Sequence, residues 1–485
     1  MRPRYVLTAL ILTMATALSA RTVTLDSCRA MALDANRRLL IGKERIKAAG
    51  YRHKEAAAAY LPAIDFAGGY TYNQKNISVF DSDRLLPTKT FNAGTGEYVY
   101  NLVRNPETGE PVRTGDGQYI PETVALIPKE AMTYDVHNVF FGAVTLTQPV
   151  YTGGRIMAMN RIARYAGQLA RALHDSEVGE VIYAVDGAYW QVVSLKARQR
   201  LAGGYVALLD SLCRNVRAMV AAGVATHSDL LSVEVRLNQA QVDKTKVDNG
   251  LTLSRMELAR VCGLPVDTVL VTDDEERTGE TAYCLTPTVS IPDMESVYSR
   301  RQDVRALELQ VKIYQQEQRV AMSSMLPNIA LTGSYAFSNP NMYDGFSRRF
   351  DGAFSVGAVI TVPLWHWGGN YNKYRAAKTE TVIRRLELDD AKEKIELQVN
   401  QAAFRTREAM LAYHTSLVNL DKAVENLRTA QLGFREGTLT TDNVMEAQTA
   451  WLKAGSEKID AEIDMRLCSV YLQKSLGTLN YRTTR

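Results

Sequence analysis

The chain has 485 residues and a formal net charge of +4, with 57 basic against 53 acidic side chains. That near balance excludes a chain organised around nucleic acid or around a strongly anionic partner. Five scattered cysteines with no C-x-x-C pair exclude a disulfide scaffold; in an oxidising compartment most are expected buried and unpaired, with one bridge still open.

At the N-terminus, Arg2 and Arg4 precede an apolar run that ends in the small residues Ala17, Ser19 and Ala20. This order is that of a secretory signal peptide over residues 1–20, with cleavage after Ser19 or Ala20. No later stretch supplies the roughly 18 consecutive apolar residues of a membrane helix. Asp26, two residues before Cys28, argues against a lipid-attachment cysteine.

Residues 24–60 are Ala-rich and free of proline and are expected to be helical. Leu61-Pro62 ends that helix, because the residue before proline is pushed out of helical geometry. The period then becomes two. Ile64, Phe66, Gly68, Tyr70 and Tyr72 share one face, and Ala63, Asp65, Ala67, Gly69 and Thr71 the other. A second strand spans 139–149, with Phe140, Gly142, Val144 and Leu146 opposite Phe141, Ala143, Thr145 and Thr147. Between them residues 75–138 are rich in Asn, Asp, Gly, Pro and Thr, a long loop with room for a hairpin.

Pro149-Val150-Tyr151-Thr152-Gly153-Gly154 leads into a proline-free helix reaching about residue 222, on the order of 100 Å long at about 1.5 Å per residue. Leu201, Tyr205, Leu208, Leu212, Val216 and Met219 form a coiled-coil seam along it, and Gly203-Gly204 are expected to weaken or bend it. The rod breaks at Gly223-Val224-Ala225-Thr226-His227-Ser228-Asp229, resumes at Leu230 and stops at Leu264-Pro265. Residues 266–292 read as a linker.

The same order then returns. Leu61-Pro62-Ala63-Ile64 is matched by Leu326-Pro327-Asn328-Ile329, and Gly68 and Tyr70 by Gly333 and Tyr335. Phe140, Val144, Leu146 and Pro149 correspond to Phe354, Ala358, Ile360 and Pro363, Gly223 to Gly437, and Gly263 to Gly477. Repeat 1 therefore covers 21–265 and repeat 2 covers 293–479, with a tail at 480–485. The halves differ chiefly in the loop, which in repeat 2 is only 338–353.

Strands with one apolar, aromatic face and one small or polar face match a barrel with lipid outside and water inside. Tyr70, Tyr72, Phe140, Tyr335, Phe337 and Phe354 are the aromatics suited to the membrane face and its interfacial belts. Four strands cannot close, since about eight make the smallest practical barrel. An open edge does not survive in hydrocarbon, so several copies must contribute.

The two-fold repeat, the Leu-Pro strand entries, the strand-helix junctions (Pro62, Pro149, Gly153, Gly154, Pro327, Pro363, Gly368, Gly369) and the paired glycine turns resemble the TolC family of outer-membrane efflux proteins over nearly the whole mature chain. The resemblance implies a mainly α protein with membrane β, a homotrimer in which each chain gives four strands to a 12-stranded outer-membrane β-barrel and long helices to a periplasmic α-helical tunnel. It implies an exit duct of a tripartite efflux or type I secretion system, fed by an inner-membrane RND or ABC pump through a periplasmic adaptor protein. Drugs, metals or polypeptides are all possible cargo.

The family's helix-turn-helix tips carry adaptor docking; here they are Gly223, Thr226, Asp229, Leu230, Gly437, Thr440, Asn443 and Val444. The family's aperture acids fall on Asn443 and Glu446, with Asp442 adjacent, and the arginine of its ionic lock falls on Leu439. One acid and the lock are thus replaced. An enzyme is disfavoured, because the six histidines are dispersed and no metal, phosphate or nucleophile motif, and so no cofactor site, is evident. A secreted periplasmic coiled-coil adaptor or structural rod is the alternative, but it would not need the duplicated strands.

Overall fold

Where each helix stops is decided by a few side chains that satisfy its terminal carbonyls, and the same devices recur in both repeats. The computed structural model describes residues 21–275 and 293–479. The expected signal peptide, the C-terminal tail, Cys284 and most of the expected linker lie outside the described residues. The chain divides into two units: a helical one (up to Ala56, Met157–Ala321 and from Asn372 onward) and a β one (Ala57–Ile156 and Met322–Tyr371).

The helical unit opens with β1 (Arg21–Val23), then α1 (Leu25–Ala35) and α2 (Arg37–Ala58). The expected single helix over 24–60 is broken at Asn36, whose backbone is extended at φ −64° and ψ 125°. Its Nδ2 donates to the Val261 carbonyl at 2.9 Å and its Oδ1 accepts from Arg38 N. The break is a tertiary contact with a helix end 225 residues away in sequence. Repeat 2 breaks in the same way between α5 (Met294–Arg300) and α6 (Gln302–Ser323). Arg301 is extended there and donates to the Ser475 carbonyl at 2.9 Å.

Two long hairpins follow the breaks. In repeat 1 these are α3 (Arg155–Ala221) and α4 (His227–Val261), and in repeat 2 α7 (Gly369–Arg435) and α8 (Thr441–Ser475). α3 runs through Gly203-Gly204 without interruption. Tyr205 and Leu209 beside the pair are buried against Ala240, and this packing outweighs the roughly 1 kcal/mol that each glycine costs a helix. The second helix of each hairpin ends in a glycine, Gly263 at φ 79° and Gly477 at φ 67°. A Cβ on Gly263 would lie 2.7 Å from the Ala35 backbone, so both the left-handed conformation and the close approach require glycine.

Part of the expected linker is ordered structure: β10 (Leu270–Thr272) pairs in parallel with β1. Three residues are too few to announce a period, and burial of Leu270 together with this pairing makes the strand. The largest core cluster joins Cys28, Ala32 and Leu39 to Val185, Tyr189, Val192 and Val193 of α3 and to Leu258 and Cys262 at the end of α4. Arg29 clamps the same region with a forked pair of hydrogen bonds to the fully buried Asp186, at 2.6 and 2.5 Å.

The β unit is an antiparallel sheet in the order β12-β11-β9-β2, from β2 (Ala63–Tyr72), β9 (Asn138–Thr152), β11 (Asn328–Asn339) and β12 (Asp351–Thr361). Its register aligns the apolar faces: Phe66 pairs with Val144, Tyr335 with Val144 and Phe354, and Gly333 with Leu146 and Val356. Asp65, Thr145, Ser334 and Ser355 form the matching polar row. The register shifts by one residue at Ile329/Ala330, opposite Pro149. Proline has no amide hydrogen to give a ladder, and a bulge is where a sheet tolerates it.

Residues 75–138 are more ordered than a loop. β3 (Ile77–Ser78) pairs with β8 (Thr133–Tyr134), and β4 (Arg84–Pro87) with β7 (Val124–Ile127), as nested rungs of one ribbon. β5 (Lys89–Asn92) and β6 (Glu97–Tyr100) make a further hairpin. Turn-rich composition hides these rungs, which are two to four residues each.

Candidate functional site

The tips of the two hairpins are built from the same five hydrogen bonds. In repeat 1 Gly223, at φ 75°, donates to Val220 O and Val224 N donates to Met219 O, satisfying the last carbonyls of α3. Thr226 then caps α4: Asp229 N donates to its Oγ1 at 3.2 Å, while Thr226 N and Oγ1 donate back to Asp229 Oδ2 at 3.0 and 2.8 Å. In repeat 2 Gly437, at φ 72°, donates to Phe434 O and Thr438 N to Gly433 O. Thr440 caps α8 through the equivalent reciprocal bonds with Asn443.

Charge distinguishes the two caps. The Asp229 carboxylate is held below its ordinary pKa by the hydrogen bonds it accepts from Thr226 backbone and hydroxyl. Asn443 makes the same contacts without a charge. Its carboxamide oxygen is committed to Thr440, so of the expected aperture residues Asn443 serves the cap. Asp442 and Glu446 are both exposed and lie four residues apart, on one face of α8. That pair of acids is the candidate aperture charge.

Leu230 and Val444, expected as docking surface, are only 8% and 2% exposed. They pack with Leu212, Cys213, Val216, Val233 and Met445 in a core that joins the two hairpins. The tip surface is instead made by Gly223, Thr226, Asp229, Gly437, Thr440, Asn443 and, within the expected turn, Val224 at 69% exposure. Leu439, at the lock position, lies on Gly433: a Cβ there would come within 2.7 Å of Leu439 Cδ1.

On the sheet, Tyr70, Tyr72, Phe140, Tyr335 and Phe354 are exposed, and Phe354 is 81% so. Phe337 lies over Gly142, whose missing side chain leaves room for the ring, and stacks on Phe66 at 6.5 Å. Pro62 and Pro327 directly precede β2 and β11. At the junctions back to helix Gly153 and Gly154 have φ 59° and 82°. In repeat 2 positive φ falls on Trp367 and Gly368, after Pro363, and Gly369 already begins α7.

A model of the outer membrane efflux protein family matches residues 130–264 and 294–478, one segment in each repeat. The chain belongs to that family. It is an efflux channel of the outer membrane of a Gram-negative cell. The outer membrane protein TolC of Vibrio cholerae is 20% identical over 347 residues, 70% of this chain and 76% of that protein. Among solved structures, the outer-membrane channel OprN has a TM-score of 0.71 at 17% identity, over 94% of this chain and 90% of that one. The open state of the Neisseria gonorrhoeae MtrE channel has a TM-score of 0.69 at 16% identity, over 95% of this chain and 91% of that one. Most of the ribbon of this efflux channel, up to residue 129, lies outside both matched segments.

Proposed function

We propose that three copies of the chain close a twelve-stranded barrel and form the passive exit duct of a tripartite system, with the energy supplied by an inner-membrane pump. The observation that carries this reading is the sheet order β12-β11-β9-β2, which leaves β12 and β2 as edges in a sheet with an exposed apolar face. Such edges are not tolerated in hydrocarbon. Two copies would give eight strands, a size whose interior is filled by side chains, whereas three leave a channel.

The helical unit supports the same assembly. α7 exposes Leu397, Phe404, Leu411 and Val418 at successive seven-residue steps, and α4 exposes Leu231, Val235, Val242 and Leu253. Two different apolar stripes on one chain suit a cyclic, head-to-tail contact. The periplasmic adaptor docks on the tips around Gly223 and Gly437, and Asp442 and Glu446 of three chains ring the aperture. The duct performs no reaction and holds no cofactor. Light scattering of the detergent-purified protein checks the assembly: the mass of a trimer is expected, and a monomer or dimer that still conducts in planar bilayers overturns it.

A further inference from the structure

We propose that Cys28 and Cys262 are joined by a disulfide in the mature, exported chain. Both residues are fully buried in the same core cluster. The Cys262 thiol donates to the Cys28 carbonyl oxygen at 3.7 Å, which brings the two residues into direct contact. They stand 234 residues apart in sequence, so the contact is a product of the fold. Cys213, by contrast, belongs to the separate core at the tips.

Location supplies the chemistry. An outer-membrane protein crosses an oxidising compartment, where adjacent thiols are converted to disulfides. One thiolate attacks the disulfide of an exchange-competent periplasmic protein, whose S–S bond breaks and releases one donor thiolate. The second cysteine, as thiolate, attacks the sulfur of its neighbour in that mixed disulfide and releases the other. Two electrons pass to the donor, which ends as a dithiol, and the two cysteines each lose a proton. Because both sulfurs are sealed in the folded unit, exchange occurs on the incompletely folded chain, and burial afterwards shields the bond from reductants.

The bridge fastens α1 to the C-cap of α4, next to the parallel pairing of β1 with β10. It is particular to repeat 1. The equivalent positions of repeat 2 are Asp293 and Leu476, and Leu476 packs on the core of Val297, Val304, Ile395 and Val399.

The test uses full-length protein purified from outer membranes, with free thiols capped by N-ethylmaleimide on denaturation and the protein then digested without reductant. A peptide pair containing Cys28 and Cys262, two hydrogens lighter than the separate thiol peptides and split by reductant, is expected. Recovery of both cysteines as maleimide adducts, or of either linked to a different cysteine, overturns the proposal. On a non-reducing denaturing gel the unreduced chain should also migrate faster than the reduced one. Cys262→Ser should abolish that difference, and a difference that persists points to another bridge.

Discussion

The guanidinium of Arg301 donates a hydrogen bond to the Ser475 carbonyl at 2.9 Å, and so ties the break between α5 and α6 to the end of α8. The same group reaches Gln398 Oε1 at 3.1 Å and forks onto Asp303 at 3.1 and 2.7 Å. Asn36 and Val261 make the corresponding contact in repeat 1.

Arg301→Ala should therefore destabilise the helical unit by about 1–3 kcal/mol, since the carbonyl and the amide lose a charged donor in a half-buried place. Arg301→Lys should rescue only part of this, because an ammonium cannot fork onto a carboxylate. Urea denaturation in detergent measures both; equal stability of Arg301→Ala and the parent would refute the role.

Acid should loosen one tip and spare the other. The folded pKa of Asp229 lies below its ordinary value of 3.8, so its ionised form is favoured by folding. Its contribution is complete above that value and is lost as pH falls through the lower folded one. Amide exchange, corrected for intrinsic rates, should rise at the start of α4 as pH falls below that ordinary value. The start of α8, capped by the untitratable Asn443, should not respond, and Asp229→Asn should remove the difference.

Glu446→Ala is expected to raise single-channel conductance and to weaken cation preference, because a ring of carboxylates favours cations in a narrow aperture. Asp442→Asn should act in the same direction, since the two acids share a helix face. Asn443→Ala should instead weaken the cap. Bilayer recordings with unchanged conductance and selectivity for both acidic-site variants would remove these residues from the aperture.

Phe404, 64% exposed on α7, should be an assembly residue. Phe404→Glu places a charge in a contact otherwise apolar, at a cost of about 2 kcal/mol or more per interface. Sedimentation should show a smaller trimer fraction with unchanged helicity. An intact trimer at the parent's concentration dependence would place the stripe outside the interface.

The ribbon over residues 75–138 is expected to face the cell exterior and partly cover the pore. Deleting residues 80–130 leaves the rung between β3 and β8 to be closed by a short turn. Conductance and entry of large antibiotics should both increase. If neither changes, the ribbon does not cover the pore.

The duplicated order of elements, the strands with their two faces, the glycine turns and the family itself were legible in the amino-acid sequence, because periodicity and turn chemistry are local. Capping is equally local, yet the turn sequences offer Thr226 or Ser228 and Thr440 or Asp442 as caps, and the structure selects Thr226 and Thr440. The breaks at Asn36 and Arg301, the strand Leu270–Thr272 and the ribbon rungs were not legible. All but the local hairpin of β5 and β6 depend on a partner far along the chain, and none repeats long enough to show a period. Burial likewise moved Leu230 and Val444 from the docking surface into the core beneath it. The cysteines make the point most simply. Their number left one bridge open, and only the packing of α1 on the end of α4 decided which two cysteines share a core.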